Sequence, residues 1–382
     1  MQKQIIALAR SGMARGISLF WLCAFSPLAL SHDLPLDRLN LPAGFRIDVF
    51  AEVTNPRQLA VSPTGTVFAG SRRAGKVHAI IDSNQDGVAE SVVEIDSGLE
   101  MPSGIAFRDG DLFVGAVNRI LVYRDVEQHL GKPMTPEVLT DALPTDLHHG
   151  WKFLDFGPDG QLYFNVGAPC NICLKDNPWY ASIMRVDPDQ QPMKFDVFAH
   201  GVRNTVGFTW HPDTGDLWFT DNGRDHMGDE IPPCELNVAT APGMHFGYPF
   251  VHGTDITDPE FGNQQPENLV VTPPARDLGA HVAPLGLTFY QGNRFPTAFR
   301  KGVFIAEHGS WNRSPEAGHV GYRITHVKPM EDGELDYSVF IDGWLGDNER
   351  WGRPVDLLEL PDGSLLISDD KANVIYRLTW EP

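Results

Sequence analysis

A short phrase that recurs along the chain limits the possible folds more than any other feature of the sequence. Each copy is a turn rich in Gly, Asp or Pro, followed by a short strand of alternating large apolar residues. Six copies occur, beginning at Pro63, Asp109, Pro158, Asp213, Lys301 and Pro361. Most copies are about 45 to 65 residues apart, close to the ~40–50 residues of a propeller blade. The spacing therefore predicts an all-β chain folded as a six-bladed β-propeller.

Strand patterns around the copies support this prediction. Apolar stretches such as residues 57–61 precede a copy, and others such as residues 373–378 follow one. Strand, turn and strand in this order are what a four-stranded blade needs. The ring must also close, and residues 45–50 can pair with residues 375–380 in the last blade. A β-sandwich is the alternative architecture, because turn and strand repeats occur there too.

One long segment, residues 253–277, departs from the repeat. It is rich in Pro, Asp, Asn and Gln and has no strand pattern. We expect a loop over one face of the ring. Loops of this length are usually either functional lids or disordered segments, and both alternatives remain open.

The first residues have the composition of a secretory signal peptide. Three basic residues stand at the start, an apolar run covers residues 17–30, and a small-residue cleavage motif ends at Ser31. We expect residues 1–31 to be removed on export to the periplasm or the medium, which leaves a linker at residues 32–40 and the propeller at residues 41–382. A membrane anchor is the alternative, but the apolar run is shorter than the ~20 residues of a span, so we expect no stable span in the mature chain.

The charge of the chain argues against two classes of partner. The formal net charge is −20, and removal of the first 31 residues, which include three basic and no acidic residues, makes it −23. An acidic surface repels polyanions. Nucleic acid and anionic membranes are therefore poor candidates as partners.

The cysteine pattern predicts one disulfide. After loss of Cys23 with the signal peptide, Cys170 and Cys173 form a C-x-x-C pair and Cys234 is left over. In an oxidising compartment we expect Cys170 and Cys173 to be joined, with reduced thiols or a metal site as alternatives. Leu174 follows the motif where covalent haem attachment needs His, so haem is excluded there.

A histidine pair stands directly before one of the repeated turns. His148 and His149 precede a predicted hairpin whose strands are residues 152–156 and 162–166, around a Gly-Pro-Asp-Gly turn. A side chain at the rim of a β scaffold is held firmly and reaches solvent, where catalytic groups tend to lie. Because imidazole accepts protons near neutral pH, His149 is a candidate general base, with a structural histidine as the simpler alternative.

Several separated motifs resemble, in the same order, those of the glucose/sorbosone dehydrogenase family. They are the His149 segment and residues 201–207, 220–225, 235–237, 247–249, 306–313 and 352–356. The likeness spans residues 41–380 and holds in particular for the sorbosone dehydrogenase branch. It implies an exported six-bladed propeller that binds pyrroloquinoline quinone (PQQ) and calcium, and that oxidises a sugar or sugar-derived aldehyde by hydride transfer to the quinone.

The resemblance assigns roles to residues around the quinone. His149 takes the place of the family's general base, which accepts the proton of a substrate hydroxyl. His148 stands where related sugar dehydrogenases have an Asp that orients the base. Arg203 matches an arginine that lies over the quinone and stabilises the negative charge on its carbonyl oxygens, and Asn204 matches the neighbour that hydrogen-bonds there. A salt bridge at the rim is the alternative role for Arg203.

The resemblance also implies two calcium ions. Gly223 and Arg224 match positions whose backbone carbonyls hold the calcium beside the cofactor, and carbonyl oxygens suit this hard cation. Glu235 matches a carboxylate ligand of a second, structural calcium, with the carbonyl of Phe246 as its partner. A solvated acidic loop without an ion is the alternative.

Some cofactor contacts of the family are changed in this chain. His281 occupies a position where a hydroxyl contacts the quinone, and Arg353 matches one of two arginines that bind the cofactor carboxylates. Val355 replaces the second arginine, and a family lysine has no clear match. We expect His308 or Arg313 to substitute, because the three cofactor carboxylates need cationic partners.

Residues 82–87 have the opening pattern of a calcium loop. Val93 occupies the twelfth position, where an EF-hand needs Glu, so this is not an EF-hand. A shortened calcium loop that uses Glu90 and a plain hairpin between residues 80 and 92 are both open.

From these patterns we expect a PQQ- and calcium-dependent oxidoreductase whose substrate is a small sugar or aldehyde. Because the chain has no haem motif, its electrons must pass to an external acceptor, a quinone or a cytochrome. Two alternatives remain open. One is a calcium-dependent hydrolase of the lactonase kind, with His149 activating water, and the other is a propeller that binds a partner without catalysis.

Overall fold

The computed structural model describes residues 34–330, 333–346 and 349–382. The chain divides into two units, Met1–Leu34 and Pro35–Pro382, and the second unit contains every element described here. The predicted signal peptide, residues 1–31, lies outside the described residues. Within the described part of the chain, no helix has the length and apolar character needed to cross a membrane.

Strands dominate the described chain, and its helices are single 3-10 turns. The strands are β1 (Phe45–Glu52), β2 (Pro56–Val61), β3 (Val67–Ser71), β4 (Lys76–Ile81), β5 (Ser91–Ser97), β6 (Gly104–Arg108), β7 (Asp111–Gly115), β8 (Ile120–Tyr123), β9 (Glu137–Thr140), β10 (Leu154–Phe156), β11 (Leu162–Val166), β12 (Ser182–Val186), β13 (Phe195–His200), β14 (Phe208–Trp210), β15 (Leu217–Asp221), β16 (Pro233–Ala239), β17 (Met244–His245), β18 (Val251–His252), β19 (Ile256–Thr257), β20 (Arg276–Ala280), β21 (Pro284–Phe289), β22 (Val303–Glu307), β23 (Arg323–Pro329), β24 (Leu335–Ile341), β25 (Pro354–Glu359), β26 (Leu365–Asp369) and β27 (Val374–Trp380). The 3-10 turns are Leu36–Arg38, Val126–His129, Gly262–Gln264 and Thr297–Phe299.

Six four-stranded antiparallel sheets form the blades of a β-propeller. Their strand orders are β2-β3-β4-β5, β6-β7-β8-β9, β10-β11-β12-β13, β14-β15-β16-β20, β21-β22-β23-β24 and β25-β26-β27-β1. β17 adds a short strand to the third sheet, and β18 pairs with β19 in a separate hairpin. Every copy of the repeated phrase supplies the second strand of a blade: β3, β7, β11, β15, β22 and β26. The predicted six-bladed propeller is confirmed, and the β-sandwich alternative is wrong.

The last blade is built from both ends of the propeller, which closes the ring. β1 pairs antiparallel with β27, from Phe45 opposite Trp380 to Glu52 opposite Val374, as the sequence predicts. First strands of neighbouring blades also contact each other, and among these contacts β25 meets β2. Closure joins the two ends of the propeller by hydrogen bonds within one blade, while each blade keeps its own short edge strands.

Apolar side chains from neighbouring sheets fill the space between blades. Between the first two blades, Phe68 and Phe107 stack with ring centroids 5.5 Å apart, and Val77 and Tyr123 belong to the same buried cluster. Successive residues of a strand point to opposite faces, so each sheet packs against two neighbours. Burial of one such Phe side chain contributes roughly 1.5–3 kcal/mol. This packing holds the loops at the centre of the ring in place.

Strand β10 begins later than the sequence predicts, at Leu154 rather than at residue 152. The backbone before it is bound by a side chain instead of a neighbouring strand. The amide of Asn165, on β11, accepts a hydrogen bond from the N–H of Phe153 (2.7 Å) and donates one to the carbonyl of Trp151 (3.0 Å). These two hydrogen bonds take the place of backbone hydrogen bonds between β10 and β11. The residues before Phe153 therefore leave the sheet and run toward the centre of the ring.

The long segment between β16 and β20 is ordered. It contains β19 and the 3-10 turn Gly262–Gln264, although its sequence predicts no strand. Asp258 is buried and accepts hydrogen bonds from His252 (2.8 Å) and from Arg224. These contacts tie the segment to the fourth blade. The alternative of a disordered segment is therefore wrong, and a lid function stays a prediction.

Candidate active site

Loops at the centre of the ring enclose a cavity of about 720 Å³. These loops lie directly before the first strand or directly after the second strand of a blade. Nine of the residues to which the sequence gave a role at the site line the cavity: His148, His149, Arg203, Asn204, Gly223, Arg224, His281, His308 and Arg353. They come from four different blades, and the ring brings them to one place.

His149 is buried, and one backbone contact sets the orientation of its ring. The residue is 6% exposed, and its Nδ1 lies 2.8 Å from the carbonyl oxygen of Ala168. Nδ1 therefore carries the proton, and Nε2 is left as an acceptor. Burial, the positive charge of Arg203 and the neighbouring His148 lower the pKa of His149 well below its usual value. The imidazole is neutral at ambient pH, which a general base requires.

The backbone at His149 is constrained as well. Its φ of +52° lies in the left-handed region, which residues other than Gly seldom adopt. A Cβ on Gly167, at the end of β11, would stand 2.6 Å from the Cβ of His149, so only glycine allows the approach. Strained backbone of this kind is found where the surrounding structure over-determines a position, as at functional sites.

Arg203 is held by four side-chain hydrogen bonds. Its side chain is 4% exposed. Nε donates to the backbone carbonyl of Asn171 (2.9 Å), and Nη2 donates to the side-chain Oδ1 of the same residue (2.8 Å). Nη1 donates to the carbonyl of Asn222 (3.0 Å). The second hydrogen of Nη2 binds the carboxylate of Asp225 (2.9 Å). A guanidinium has five N–H donors, so one on Nη1 has no partner among the described residues. The salt bridge that the sequence left as an alternative is present, in the pair with Asp225, and the role of Arg203 at a quinone stays a prediction.

Four side-chain polar atoms of residues that line the cavity are buried without a hydrogen-bond partner in the described part of the chain. They are Oδ1 of Asn204, an acceptor, and three donors: Nε1 of Trp151, Nε of Arg57 and Nε of Arg224. The backbone of Asn204 is itself fixed, because its N–H donates to Asp221 (2.6 Å). An unsatisfied buried polar group costs about 1–3 kcal/mol. Oδ1 of Asn204 and Nε1 of Trp151 are therefore candidates for contacts with a molecule in the cavity.

One wall of the cavity is basic, and sequence reasoning found only part of it. Arg353 donates to the carbonyls of His308 (2.9 Å) and Gly309 (2.6 Å). Arg72 and Arg73 line the same cavity, and the guanidinium of Arg72 stands 4.1 Å from the ring centre of Trp151. Burial and the like charges of neighbouring arginines lower the pKa of Arg72 to about 10. The wall therefore holds more positive charge than its surroundings neutralise.

A smaller cavity of about 380 Å³ adjoins this wall and is basic too. Arg72, Arg73, Arg353, Arg350 and Lys371 line it. Its single carboxylate is already engaged: Asp370 pairs with Arg57 (2.9 Å) and accepts a hydrogen bond from His308 (2.7 Å). On a chain of net charge −20, such a wall is a local site for anions.

The position of Arg72 and Arg73 was the signal that the sequence analysis missed. They directly follow β3, the second strand of the first blade, just as Asn222 follows β15 and His308 follows β22. In a propeller, these strand ends face the centre. Any charged residue one or two places after a repeated phrase is therefore a candidate for the cavity wall.

Three of the four predicted metal-ligand residues, Gly223, Glu235 and Phe246, line a separate, enclosed void, and the fourth, Arg224, lines only the main cavity. A cavity of about 10 Å³, the size of one small ion or water, is lined among others by Asp221, Gly223, Glu235 and Phe246. Burial raises the pKa of both carboxyl groups, and the nearby Asp221 raises that of Glu235 further. Oδ1 of Asn237, a neighbour that donates to Glu235 (2.9 Å), is buried without a partner in the described residues. Two adjacent buried acids and an unpaired amide oxygen suit a hard cation.

Not every predicted residue presents its side chain to the cavity. Arg313, expected to contact the cofactor, does not line it; its guanidinium binds Glu230 (2.9 Å) and backbone carbonyls at Asp229 and Gly318. The side chain of Arg224 turns away to Asp258, so its predicted role rests on the backbone carbonyl alone. His281 lines the cavity, and its Nε2 lies 2.7 Å from the carbonyl of Gly228.

The acidic loop at residues 82–87 connects β4 and β5, so the predicted hairpin is confirmed. Carboxylate oxygens of Asp82, Asp86 and Glu90 lie within 4.8 Å of one another. Ser83 donates to Glu90 from both its backbone and its hydroxyl group (2.7 and 2.9 Å). A cation in this loop stays a prediction.

The disulfide Cys170–Cys173 is present, with the two Cα atoms 6.2 Å apart, so the predicted pairing is confirmed and the alternatives of thiols or a metal site are wrong. Cys234 is free and buried, and it lies in the cavity wall. Burial raises the pKa of its thiol to about 11. The thiol is therefore protonated and a poor nucleophile.

The mouth of the cavity carries an exposed aromatic side chain. Trp311 is 62% exposed although it is large and apolar, and it lines the cavity. Its ring packs edge-on against His226, with centroids 6.1 Å apart. An indole held at the entrance offers a flat surface to an incoming substrate.

Comparisons with known proteins identify relatives along the whole propeller. A protein family described as a domain of unknown function (DUF7133) matches residues 32–382. A protein of Borreliella burgdorferi described as uncharacterized is 34% identical over 371 residues, which cover 93% of this chain and 94% of that protein. A pyrroloquinoline quinone-dependent pyranose dehydrogenase of Coprinopsis cinerea is 23% identical over 90% of this chain. The matching region is only 54% of that enzyme, about half its length.

Solved structures share the architecture. The holo form of the pyranose dehydrogenase PQQ domain from Coprinopsis cinerea superimposes with a TM-score of 0.72 at 19% identity, covering 89% of this chain and 97% of that chain. The PQQ-bound form of aldose sugar dehydrogenase from Streptomyces coelicolor gives a TM-score of 0.61 at 19% identity, covering 90% and 100%. At these identities the likeness shows a common fold. The resemblance to the glucose/sorbosone dehydrogenase family, inferred from the motifs, is confirmed at that level.

Proposed function

The chain belongs to the DUF7133 family, and from that premise we propose that it is a PQQ-dependent oxidoreductase that oxidises a sugar or a sugar-derived aldehyde. One observation carries the proposal. A buried, neutral His149 with a free Nε2 and a clamped Arg203 with one free N–H line the same cavity. The names of the structural neighbours, which include PQQ-dependent and PQQ-bound sugar dehydrogenases, support the choice of cofactor and substrate class.

The residues of the cavity fit the quinone. Its three carboxylates need cations, and Arg72, Arg73 and Arg353 provide them on one wall. They take the place of the family arginine and lysine that this chain lacks, a role that the sequence led us to expect of His308 or Arg313. Asn204 and Trp151 offer an unpaired acceptor and an unpaired donor for the polar edge of a planar molecule. When bound, PQQ would accept the hydride that leaves the substrate carbon.

His149 would remove the proton from the substrate hydroxyl. The carbonyl of Ala168 holds the proton on Nδ1, so Nε2 is the accepting atom. This hydrogen bond would orient His149, the role that an Asp has in related enzymes. An Asp is then not needed at position 148, where this chain has His148. For an aldehyde, the hydrated gem-diol supplies the hydroxyl. Arg203, with its free N–H, would stabilise negative charge that builds up across the cavity.

Calcium fits two places beside the cavity. Backbone carbonyls of Gly223 and Arg224 would face an ion next to the quinone, where the ion's charge adds to that of Arg203. Glu235 and the carbonyl of Phe246 would hold a second ion in the enclosed void. The second ion would order the loop between β15 and β16 and so the position of Gly223.

Export and the electron acceptor are also part of the proposal. A signal peptide at residues 1–31 would deliver the enzyme to the periplasm or the medium. The described part of the chain has no haem motif, so an external quinone or cytochrome would receive the electrons. The acidic surface favours a partner with a basic face.

Titration of the purified protein with PQQ and calcium tests the proposal. We expect a saturable change in the absorption of the quinone, followed by sugar- or aldehyde-dependent reduction of a dye. His149→Ala should abolish turnover and leave the quinone affinity within a few-fold, because His149 contributes a proton acceptor and little binding. Hydrolysis of a lactone without quinone would instead favour the hydrolase, and quinone-independent binding of a partner would favour the non-catalytic propeller.

A further inference from the structure

The loop closed by Cys170 and Cys173 has no part in the reaction proposed above, but it contacts the residue on which that reaction depends. It begins four residues after β11 ends. Both ends of the loop are held by one hydroxyl group: the N–H of Cys173 donates to Tyr248 Oη (2.9 Å), and Sγ of Cys170 lies 3.4 Å from it. The loop is therefore fixed both covalently and by the neighbouring blade.

Asn171, inside this loop, binds the guanidinium of Arg203 twice. Its backbone carbonyl accepts from Nε and its Oδ1 accepts from Nη2. The side chain of Asn171 is itself fixed by Asp225, whose N–H donates to Oδ1 (2.9 Å) and whose carbonyl accepts from Nδ2 (3.0 Å). Asn171 thus supplies half of the four hydrogen bonds that hold the guanidinium.

The geometry of Asn171 leaves the guanidinium few alternatives. Both acceptors belong to one residue, and they engage Nε and Nη2 side by side, which fixes the plane of the group as well as its position. Because the Arg203 side chain is almost fully buried, rotation would break these bonds without replacing them by water. The one free N–H on Nη1 is thereby aimed in a single direction.

The same segment also orients the candidate base. Ala168, two residues before Cys170, accepts the hydrogen bond from His149 and donates its own N–H to the carbonyl of Arg203 (2.9 Å). Residues 168–173 therefore contact both His149 and Arg203. Their relative placement depends on one short stretch of chain, and the disulfide restricts that stretch.

We propose that the loop 170–173 is the positioning element of the site, and that Asn171 is the positioning residue that aims Arg203. The disulfide limits the conformations open to the loop and so keeps both acceptors of Asn171 in place. The effect on turnover rests on the proposed function. The effect on the orientation of Arg203 does not, and the two can be tested separately.

NMR of the protein without quinone tests the orientation directly. The Nε–H signal of Arg203, assigned by its loss in Arg203→Lys, should exchange slowly with solvent in the wild type. We expect exchange at least ~10-fold faster in Asn171→Ala and in the double variant Cys170→Ala/Cys173→Ala, because a lost acceptor opens the N–H to water. Unchanged protection in Asn171→Ala would overturn the proposal. That variant keeps the disulfide, so it decides the matter even if the double variant fails to fold.

Asn177→Ala is the matched control. Asn177 lies in the same connection and accepts a hydrogen bond from the N–H of Trp179 (3.1 Å), but it makes no contact with Arg203. Its loss should leave the Arg203 signal protected. Faster exchange in this variant as well would mean that the whole connection loosens non-specifically, and it would overturn the specific role of Asn171.

Turnover of the quinone-loaded enzyme gives the second test. We expect kcat of Asn171→Ala to fall on the order of 100-fold, with KM little changed and the pH profile retained. A misplaced positive charge on Arg203 would stabilise the transition state less, while substrate binding and the base would be unaffected. The double variant Asn171→Ala/Arg203→Lys should be no slower than Arg203→Lys alone. Additive losses would contradict the positioning role. If the wild type itself neither binds quinone nor turns over, the proposed function fails, and the NMR result alone decides this inference.

Discussion

At the scale of single residues, the protonation state of His149 decides whether the site can act as proposed. Four influences act on it: burial away from water, the positive charge of Arg203, the neighbouring His148, and the carbonyl of Ala168 that holds the proton on Nδ1. Apart from His148, none of them can be seen in the sequence beside His149. The residue is conspicuous in the sequence, but its chemistry is a property of its surroundings.

The pH dependence of turnover follows from this environment. Protonation of His149 removes its acceptor, so kcat/KM should fall only as the pH drops through the lowered pKa of His149. We expect the acid limb of the profile to lie below the ~6.5 of an exposed histidine. Rates measured from roughly pH 4 to 8 check this. A limb at or above ~6.5 would show that another group is the base.

Trp311 should affect substrate binding more than chemistry. An exposed indole at the cavity mouth can stack on a sugar ring, and aromatic contacts contribute about 0.5–1.5 kcal/mol. Trp311→Ala is expected to raise KM about 2- to 10-fold with kcat within a factor of about two. Trp311→Phe is the control, since it retains a flat surface and should stay near the wild type. A fall in kcat at unchanged KM would place Trp311 in the chemistry instead.

At the scale of elements, the residues that directly follow the second strand of each blade determine which side chains line the cavity. Arg72 and Arg73 follow β3, Asn222 follows β15 and His308 follows β22. The second strands of the blades share one pattern of alternating apolar residues. Residues one or two positions beyond them differ between blades, and these differences give each wall of the cavity its own charge.

Arg72 should be required for quinone affinity. A charge-assisted hydrogen bond contributes about 1.5–3 kcal/mol, so Arg72→Gln is expected to raise the Kd for PQQ about 10- to 100-fold. The loss should shrink at high salt, because screening weakens the wild-type contact as well. Arg108→Gln is the control: Arg108 pairs with Asp189 (2.7 Å) and does not line the cavity. Equal affinities in wild type and Arg72→Gln would exclude Arg72 as a carboxylate partner.

Glu235 should couple calcium to the stability of the fourth blade. Calcium that binds only the folded state stabilises it by about 2.7 kcal/mol at 100 times its Kd. We expect calcium to raise the Tm of the wild type and to have little effect on Glu235→Gln, which lacks the anionic ligand. Glu90→Gln tests the acidic loop on the first blade in the same way. If only Glu90→Gln loses the calcium response, the ion binds that loop and not the enclosed void.

At the scale of the whole molecule, closure of the ring by β1 and β27 holds the cavity together. The basic wall joins Arg72 of the first blade to Arg353 of the last, and these blades are neighbours only because the ring is closed. The whole chain has a formal net charge of −20, while one wall of the central cavity is lined by arginines. The proposed anionic cofactor would therefore meet a local field opposite to that of the protein as a whole.

Substitutions in β1 should show how much the closure contributes. Ile47 is 7% exposed and pairs with Leu378, so Ile47→Ala is expected to reduce the free energy of unfolding by about 2–5 kcal/mol. Arg46→Ala, on the exposed face of the same strand, should change it by no more than about 0.5 kcal/mol. Urea unfolding at equilibrium measures both. Equal and small effects would mean that the ring does not depend on this pairing.

Sequence and structure agree best where the information is local. The six turn-and-strand phrases, the pairing of the first and last strands, the disulfide and the β4–β5 hairpin were all predicted. Errors arose where a distant side chain intervened. Asn165 shortens β10 by binding the backbone before it, and Glu230 draws Arg313 away from the cavity. Neither partner can be identified from the sequence around the residue it changes.

By itself the sequence predicted a ring of six blades, because turn chemistry and strand alternation are properties of neighbouring residues. Its resemblance to a known family, and not the strand pattern, predicted that His149, Arg203 and Arg353 belong to one site. Only the tertiary structure decided which other residues belong to the same site. Arg72, Arg73 and Asn171 reach the site because the ring closes and the loops pack, and hydrogen bonds between distant residues choose each side chain's direction. Such bonds depend on distances in space, which a linear pattern does not contain.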